Sequence, residues 1–164
     1  MNNEELKGVV YLSQETYDRY KKEYEHLVNV ERPAVQAALK EARAQGDLSE
    51  NAEYDAARDR QGAVEGRISE LEQILDNAKI IEAKDESTQN TVGIGTTVQF
   101  VKKDTNQVKE VTIMGTHDTN PFENKISNKS PLAVAMMGHV AGDVVEVDAQ
   151  TKYMIEILSV KFSN

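Results

Sequence analysis

Apolar side chains recur at helical spacing in the first half of the chain and alternate with polar ones in the second half. Apolar residues recur with a helical period from Tyr17 to Ala42, and step by three and four from Tyr54 to Ala78. This spacing predicts two long amphipathic helices. Only the short loop from Gly46 to Ser49 separates them, so they must be antiparallel neighbours. We therefore expect a helical hairpin that packs as a two-stranded coiled coil.

Residues with strong positional preferences mark the ends of these helices. Ser13 is placed to cap the first helix through its hydroxyl group. Pro33 lacks a backbone donor and crowds the preceding turn, so it is expected to kink that helix. Gly46 suits a left-handed position just past the helix end, and Asp47 or Ser49 can cap the helix that follows.

The second half of the chain predicts a small sheet with one short helix. β-Branched residues alternate with polar ones, as in a half-solvated antiparallel sheet, in four segments: 97–101, 110–114, 143–147 and 153–160. Ser130 and Pro131 predict the start of a short apolar helix that Gly138 ends. A polar, turn-rich stretch separates the two halves. The chain is thus predicted to be an α+β protein with three parts: a hairpin over 1–83, a linker over 84–95 and a strand-rich domain over 96–164.

Charge and composition narrow the functional classes. The chain has 164 residues and a formal net charge of −9, and residues 1–83 carry 18 acidic against 11 basic side chains. That balance disfavours autonomous binding to nucleic acid, which depends on Lys and Arg, and favours a protein partner. The chain has no cysteine, so it suits a reducing compartment, and no segment is apolar enough to target a membrane. We expect a cytoplasmic protein.

Two acidic residues, Asp47 and Glu50, fall between the predicted helices. Their Asp-x-x-Glu spacing is that of a capping box, in which each side chain accepts a hydrogen bond from the other residue's backbone. Two carboxylates one turn apart also suit a hard cation such as Mg²⁺, but they are too few to hold it alone. Capping and completion of a partner's metal site both remain open from the residues.

Basic and aromatic residues lie close to the acidic pair. Arg43 and Arg58 are nearest to it, and arginine can hold phosphate with two hydrogen bonds; a solvated helix face with pairs such as Asp55 to Arg58 explains them equally well. For Arg60 and Arg67 we favour the solvated face. Tyr54 can stack on a base, although it also falls on the predicted helix seam.

Other motifs for independent catalysis are missing from the sequence. The three histidines lie far apart without the spacing of zinc ligands, and no glycine-rich phosphate-binding motif or nucleophile elbow occurs. The chain is therefore not expected to be a free-standing enzyme.

Two long segments carry a specific family resemblance. The run Gly46-Asp-Leu-Ser-Glu-Asn-Ala-Glu-Tyr54, within a match from Glu41 to Gly66, closely resembles the Gre family of bacterial transcript cleavage factors. Lys125-Ile-Ser-Asn-Lys-Ser-Pro-Leu-Ala-Val-Ala-Met-Met-Gly138, followed by 141–147, is similar to the carboxy-terminal signature of that family. The resemblance departs at His139, Val140 and 148–152, so the docking residues of the second domain are less well defined than the acidic pair.

The resemblance implies a fold and a function. It implies a coiled coil that enters the secondary channel of bacterial RNA polymerase, and an FKBP-like antiparallel-sheet domain that docks at the rim of that channel. By position, Asp47 and Glu50 would help to hold the second Mg²⁺ of the polymerase, which hydrolyses the RNA 3′ end in a backtracked complex. Arg43 and Arg58 match basic residues that lie toward the RNA. A monomeric accessory factor without a tightly bound cofactor is implied.

Two alternatives come from other functional classes. One is a homologous inhibitor that occupies the channel without aiding cleavage; the segment Asp47-Leu-Ser-Glu50 disfavours it. The other is a coiled-coil chaperone or prolyl isomerase that uses the FKBP-like domain, for which a proline-isomerisation assay is the test.

Overall fold

The computed structural model describes residues 8–46, 51–82 and 90–162. Contacts divide the chain into a helical unit, Tyr17–Ala78, and a strand-rich unit formed by Met1–Thr16 together with Lys79–Asn164. These units do not begin and end at the predicted limits of 83 and 96. Residues 8–16 belong to the strand-rich unit, and Val92, inside the predicted linker, is only 2% exposed in its core. The limits differ because apolar residues that precede and follow the hairpin in the sequence are buried in the strand-rich unit, and the local sequence does not reveal this burial.

The first helical run begins after the short strand β1, Val10–Leu12, and has three parts. α1 spans Gln14–His26, a π-helical turn spans Leu27–Glu31, and α2 spans Arg32–Ala44. Ser13 caps α1 as predicted, since its Oγ accepts from the Thr16 backbone N–H at 3.1 Å. The interruption lies just before Pro33, where the Arg32 N–H reaches back five residues to the Leu27 carbonyl. A proline that cannot donate thus coincides with a local change of helix type.

The return helix, α3, spans Ala52–Asp76, and its 25 residues are about 38 Å long at roughly 1.5 Å per residue. It packs on α2 around a core of buried apolar side chains: Val35, Leu39, Ala57, Val64 and Ile68. The three-and-four spacing from Tyr54 to Ala78 places Leu75 on the predicted seam, but Ile74 is buried there instead. Ala78, the last residue of that pattern, already belongs to strand β2, Ala78–Ile80. A straight α-helix has 3.6 residues per turn, so its buried face drifts relative to a spacing of alternating three and four residues. Toward the end of α3 this drift moves the buried position by one residue. Within the described ranges, no helix is both long and apolar enough to cross a membrane.

The strand-rich unit contains a five-stranded sheet in the order β5-β4-β3-β7-β6. The strands are β3 (Thr96–Lys102), β4 (Val108–Met114), β5 (Lys125–Ser127), β6 (Val144–Val147) and β7 (Tyr153–Phe162). The four predicted strands are present, and the α+β class is confirmed. Neighbours are antiparallel except β5, which pairs parallel with β4. The helix α4, Pro131–Met136, has the predicted Ser130 cap, whose Oγ accepts from the Ala133 N–H.

The chain that precedes α1 is held in the strand-rich unit by three sets of contacts. β1 pairs with β2, and a Cβ added at Gly115 would lie only 1.9 Å from the carbonyl oxygen of Tyr11. The Asp118 carboxylate accepts hydrogen bonds from the Ser13 N–H at 2.9 Å, the Ser13 hydroxyl at 2.7 Å and the Thr16 hydroxyl. These contacts fix the first turn of α1 to residues about a hundred positions later in the chain.

Candidate functional site

The predicted metal-binding residues, Asp47 and Glu50, lie outside the described residues, in the segment 47–50. The residues on either side, 42–46 and 51–58, form what we call the hairpin end. Gly46 has the predicted left-handed backbone, with φ of +105°, which suits a residue just past a helix end. The described residues thus end at Gly46 and resume at Asn51, on the two sides of the acidic segment.

Asn51 is the N-cap of α3, whereas the sequence predicted Asp47 or Ser49 at that position. Its Oδ1 accepts from the Tyr54 backbone N–H at 3.1 Å, and its own backbone is extended. Its Nδ2 also donates to the carbonyl oxygen of Ala42, near the end of α2, at 2.9 Å. The sequence prediction of the cap was therefore wrong. Asparagine is a common capping residue, and Asn51 directly precedes the helix. Its hydrogen bond to the Ala42 carbonyl depends on a contact between the two helices that the sequence does not show.

Arg43, Tyr54 and Arg58 come together at the hairpin end. The Arg43 Cζ lies 5.7 Å from the centre of the Tyr54 ring, within cation–π range. The pKa of Tyr54 is lowered, first by a hydrogen bond with Arg43, against a smaller opposing effect of desolvation, and further by the charges of Arg43 and Arg58. The structure therefore joins the three RNA-facing candidates into one basic and aromatic cluster.

This cluster lines a shallow groove of 380 Å³ between α2 and α3. The groove also exposes Lys40 and two glutamines, and its full lining is Gln36, Leu39, Lys40, Arg43, Tyr54, Arg58 and Gln61. Lys40 was not among the sequence-based candidates. Its position three residues before Arg43 on the same helix, which places both on one face, is the signal that identifies it. Polar side chains, a guanidinium fork and one aromatic face suit a phosphate with its base.

Other arginines of the helical unit serve the hairpin itself. Arg32, Arg60 and Arg67 pair across the helices with Glu65, Glu31 and Glu23 at 2.7, 2.5 and 2.7 Å. In each glutamate the pKa is lowered mainly by its hydrogen bond to the arginine. The solvated-face interpretation of Arg60 and Arg67 agrees with these pairs, although they run between helices.

Arg43 and Arg58 differ from this set. No ion pair within 4.0 Å joins either of them to another described side chain, and the Asp55–Arg58 pair considered from the sequence is not formed. Their positive charge is therefore not neutralised by a described glutamate or aspartate. This distinguishes the two arginines of the hairpin end from Arg32, Arg60 and Arg67.

Both halves of the chain match known sequence families. Residues 10–80 match the family described as "Transcription elongation factor, N-terminal", and residues 86–162 match "Transcription elongation factor, GreA/GreB, C-term". A protein named "Transcription elongation factor GreA" from Mycoplasmopsis agalactiae is 62% identical over 155 residues, which cover 94% of this chain and 94% of that protein. Its namesake from Mycoplasmopsis pulmonis is 53% identical over 95% of this chain and 98% of its own length.

A solved structure is similar over most of its length. The GreA factor homolog 1 (Gfh1) protein of Thermus thermophilus is 25% identical and covers 93% of this chain and 98% of its own, with a TM-score of 0.42. A TM-score this low says nothing further about this chain.

Proposed function

Because the chain belongs to the GreA/GreB family of transcription elongation factors, we propose that it binds bacterial RNA polymerase through the secondary channel. There it stimulates cleavage of the RNA 3′ end in backtracked, arrested complexes. It acts as an accessory factor that activates cleavage by the polymerase, in the cytoplasm, where bacterial transcription takes place.

The observation that carries this proposal is the identity of the α3 cap. Asp47 and Glu50 were open to a purely structural explanation, a capping box at the start of the return helix. Asn51 fills the N-cap position instead, so the start of α3 does not require the two acids. Of the two explanations for the acidic pair, this favours metal binding, since binding residues are commonly carried on loops that a rigid scaffold positions.

The neighbouring cluster supports the same conclusion. Arg43 and Arg58 remain unpaired with described acids beside Tyr54, although Arg32, Arg60 and Arg67 each pair with a glutamate. A guanidinium can hold a phosphate oxygen pair, and an aromatic face can stack on a base. Such a cluster next to an acidic segment fits an RNA end whose phosphodiester is to be cleaved.

The implied metal belongs to the polymerase. Carboxylate oxygens are the ligands that Mg²⁺ prefers, so the donor chemistry of Asp47 and Glu50 fits, but two carboxylates require further ligands from the polymerase. Such a metal, when bound, activates water and stabilises the charge of phosphoryl transfer. The chain itself contributes the two carboxylates as ligands, while Arg43 and Arg58 bind and orient the RNA phosphates.

The direct test is to add the pure full-length protein to a backtracked bacterial elongation complex with labelled RNA. Short RNAs released from the 3′ end, together with resumed elongation, are expected. Inhibition of elongation without short RNAs would instead indicate the channel-blocking alternative. Cleavage unchanged from that of polymerase alone, with the protein bound, would refute the proposal.

A further inference from the structure

One side chain, Asn51, hydrogen-bonds to both helices at the hairpin end. Its Nδ2 donates to the Ala42 carbonyl at 2.9 Å and its Oδ1 accepts from the Tyr54 N–H at 3.1 Å. Ala42 lies in the last turn of α2, where its carbonyl also accepts from the Gln45 N–H at 3.3 Å, and Tyr54 lies in the first turn of α3, where N–H groups have no partner within the helix. A single amide thus gives the Ala42 carbonyl a second donor and the Tyr54 N–H an acceptor, in two different helices.

The second of these bonds is enough for capping. Aspartate and serine cap helices about as well as asparagine, because the cap needs only an acceptor oxygen. The donor to Ala42 is the additional feature, and aspartate has no N–H to donate. Serine has a shorter side chain, so its hydroxyl does not reach as far. The use of an amide at this position is therefore explained by the bridge and not by the cap.

The bridge acts on residues that carry the candidate chemistry. Ala42 directly precedes Arg43, and Tyr54 is the aromatic member of the cluster. The hydrogen bond from Asn51 to the Ala42 carbonyl joins the last turn of α2 to the residue that follows segment 47–50. It therefore limits the distance between the two ends of that segment. Misplacement of a reacting group by about 1 Å can cost up to about a hundredfold in rate.

We propose that Asn51 is a positioning residue for stimulated RNA cleavage, because its amide bridge holds the ends of the acidic segment and the Arg43–Tyr54 contact in place. The inference rests on the proposed function of Asp47 and Glu50. It assigns Asn51 no contact with RNA or metal. Loss of the bridge should lower the maximal rate of stimulated cleavage without weakening binding to the polymerase.

The test separates the two hydrogen bonds by substitution in the full-length protein. Asn51→Ser keeps the cap and removes the bridge, Asn51→Ala removes both, and Asn51→Asp is a second cap-preserving variant of nearly the same shape. Asn77→Ser is the matched control, because the Asn77 Nδ2 donates to the Gln73 carbonyl at 2.8 Å at the other end of α3. Thermal unfolding, the maximal cleavage rate and the half-maximal factor concentration are measured for each variant.

The bridge predicts that stability and activity respond differently. Asn51→Ser should unfold near the wild-type temperature, yet its maximal cleavage rate should fall on the order of tenfold, as far as that of Asn51→Ala. The half-maximal concentration should stay within about twofold. Asn77→Ser should cleave normally. Full activity in Asn51→Ser and Asn51→Asp, or an equal loss in Asn77→Ser, would overturn the inference.

The double variant Asp47→Asn/Glu50→Gln distinguishes failure of the two proposals. If it retains stimulated cleavage, the proposed mechanism fails and the role of Asn51 fails with it. If it loses cleavage while Asn51→Ser keeps it, only the positioning role of Asn51 is wrong.

Discussion

Replacing the two acids with their amides, Asp47→Asn and Glu50→Gln, should leave the fold almost unchanged. The Asn51 side chain caps α3, so neither substitution removes the acceptor of the first turn. Each substitution removes a negative charge before a helix N-terminus, which costs at most about 1 kcal/mol through the helix dipole. The thermal unfolding of the helical unit is expected to shift by a few degrees at most.

The same substitutions should nearly abolish stimulated cleavage. Loss of metal-site residues typically costs 10–100-fold each even when they act indirectly, so the double variant should be impaired roughly a hundredfold or more. That factor corresponds to about 2.7 kcal/mol of activation free energy, which exceeds the expected loss of stability.

The assay compares labelled RNA fragments released from a backtracked complex by wild type and variant. Competition with the wild-type protein for the polymerase, in the same assay, establishes that the variant still binds. Near-wild-type cleavage by the double variant would falsify the metal role of the acids. Loss of competition together with cleavage would show that the acids serve binding instead.

Three further predictions follow from described contacts. Arg58→Gln should reduce stimulated cleavage severalfold, whereas Arg60→Gln, which only breaks an exposed ion pair, should change cleavage little; equal effects of the two would contradict the RNA role of the cluster. Gly115→Ala places a methyl group 1.9 Å from a carbonyl oxygen of β1 and should lower the free energy of unfolding by at least about 2 kcal/mol. Gly66→Ala, with open space around it, should instead stabilise α3 by up to about 1 kcal/mol. Denaturant unfolding measures both changes. The pKa of Glu23 is lowered from its usual 4.5, so its contribution to stability should be complete above pH 4.5 and decline as the pH falls through the lowered value. Circular dichroism melts across this pH range should show the decline in stability. Glu23→Gln should make that decline smaller.

Local preferences predicted the elements whose ends depend on adjacent residues. Ser13 and Ser130 cap the predicted helices, and alternating side chains marked the four long strands. β1, β2 and β5 were missed because each has only three residues and pairs with a partner that the local pattern does not identify. The π-helical turn before Pro33 was expected only as a kink, since the missing donor indicates a disruption but not its form.

The sequence predicted which residues belong to the candidate site but not which of them contact one another. Arg43, Tyr54 and Arg58 were named from the sequence, and their contact appeared only when the two helices were paired. Asp47 and Ser49 were predicted as caps and Asn51 was overlooked, although all three residue types have similar capping preferences. The hydrogen bond from Asn51 to Ala42 decides between them, and it exists only in the folded hairpin.

The carboxylate of Asp118 has a consequence for the order of assembly during synthesis. Ser13, which it binds, is 105 residues earlier in the chain, with the whole helical unit inserted between. A ribosome adding about 5–20 residues per second needs roughly 5–20 s to cover that distance, whereas helices form within about a microsecond. Ser13 and Thr16 are therefore synthesised before the helical unit but complete their contacts with Asp118 only after the long helices have had time to pair.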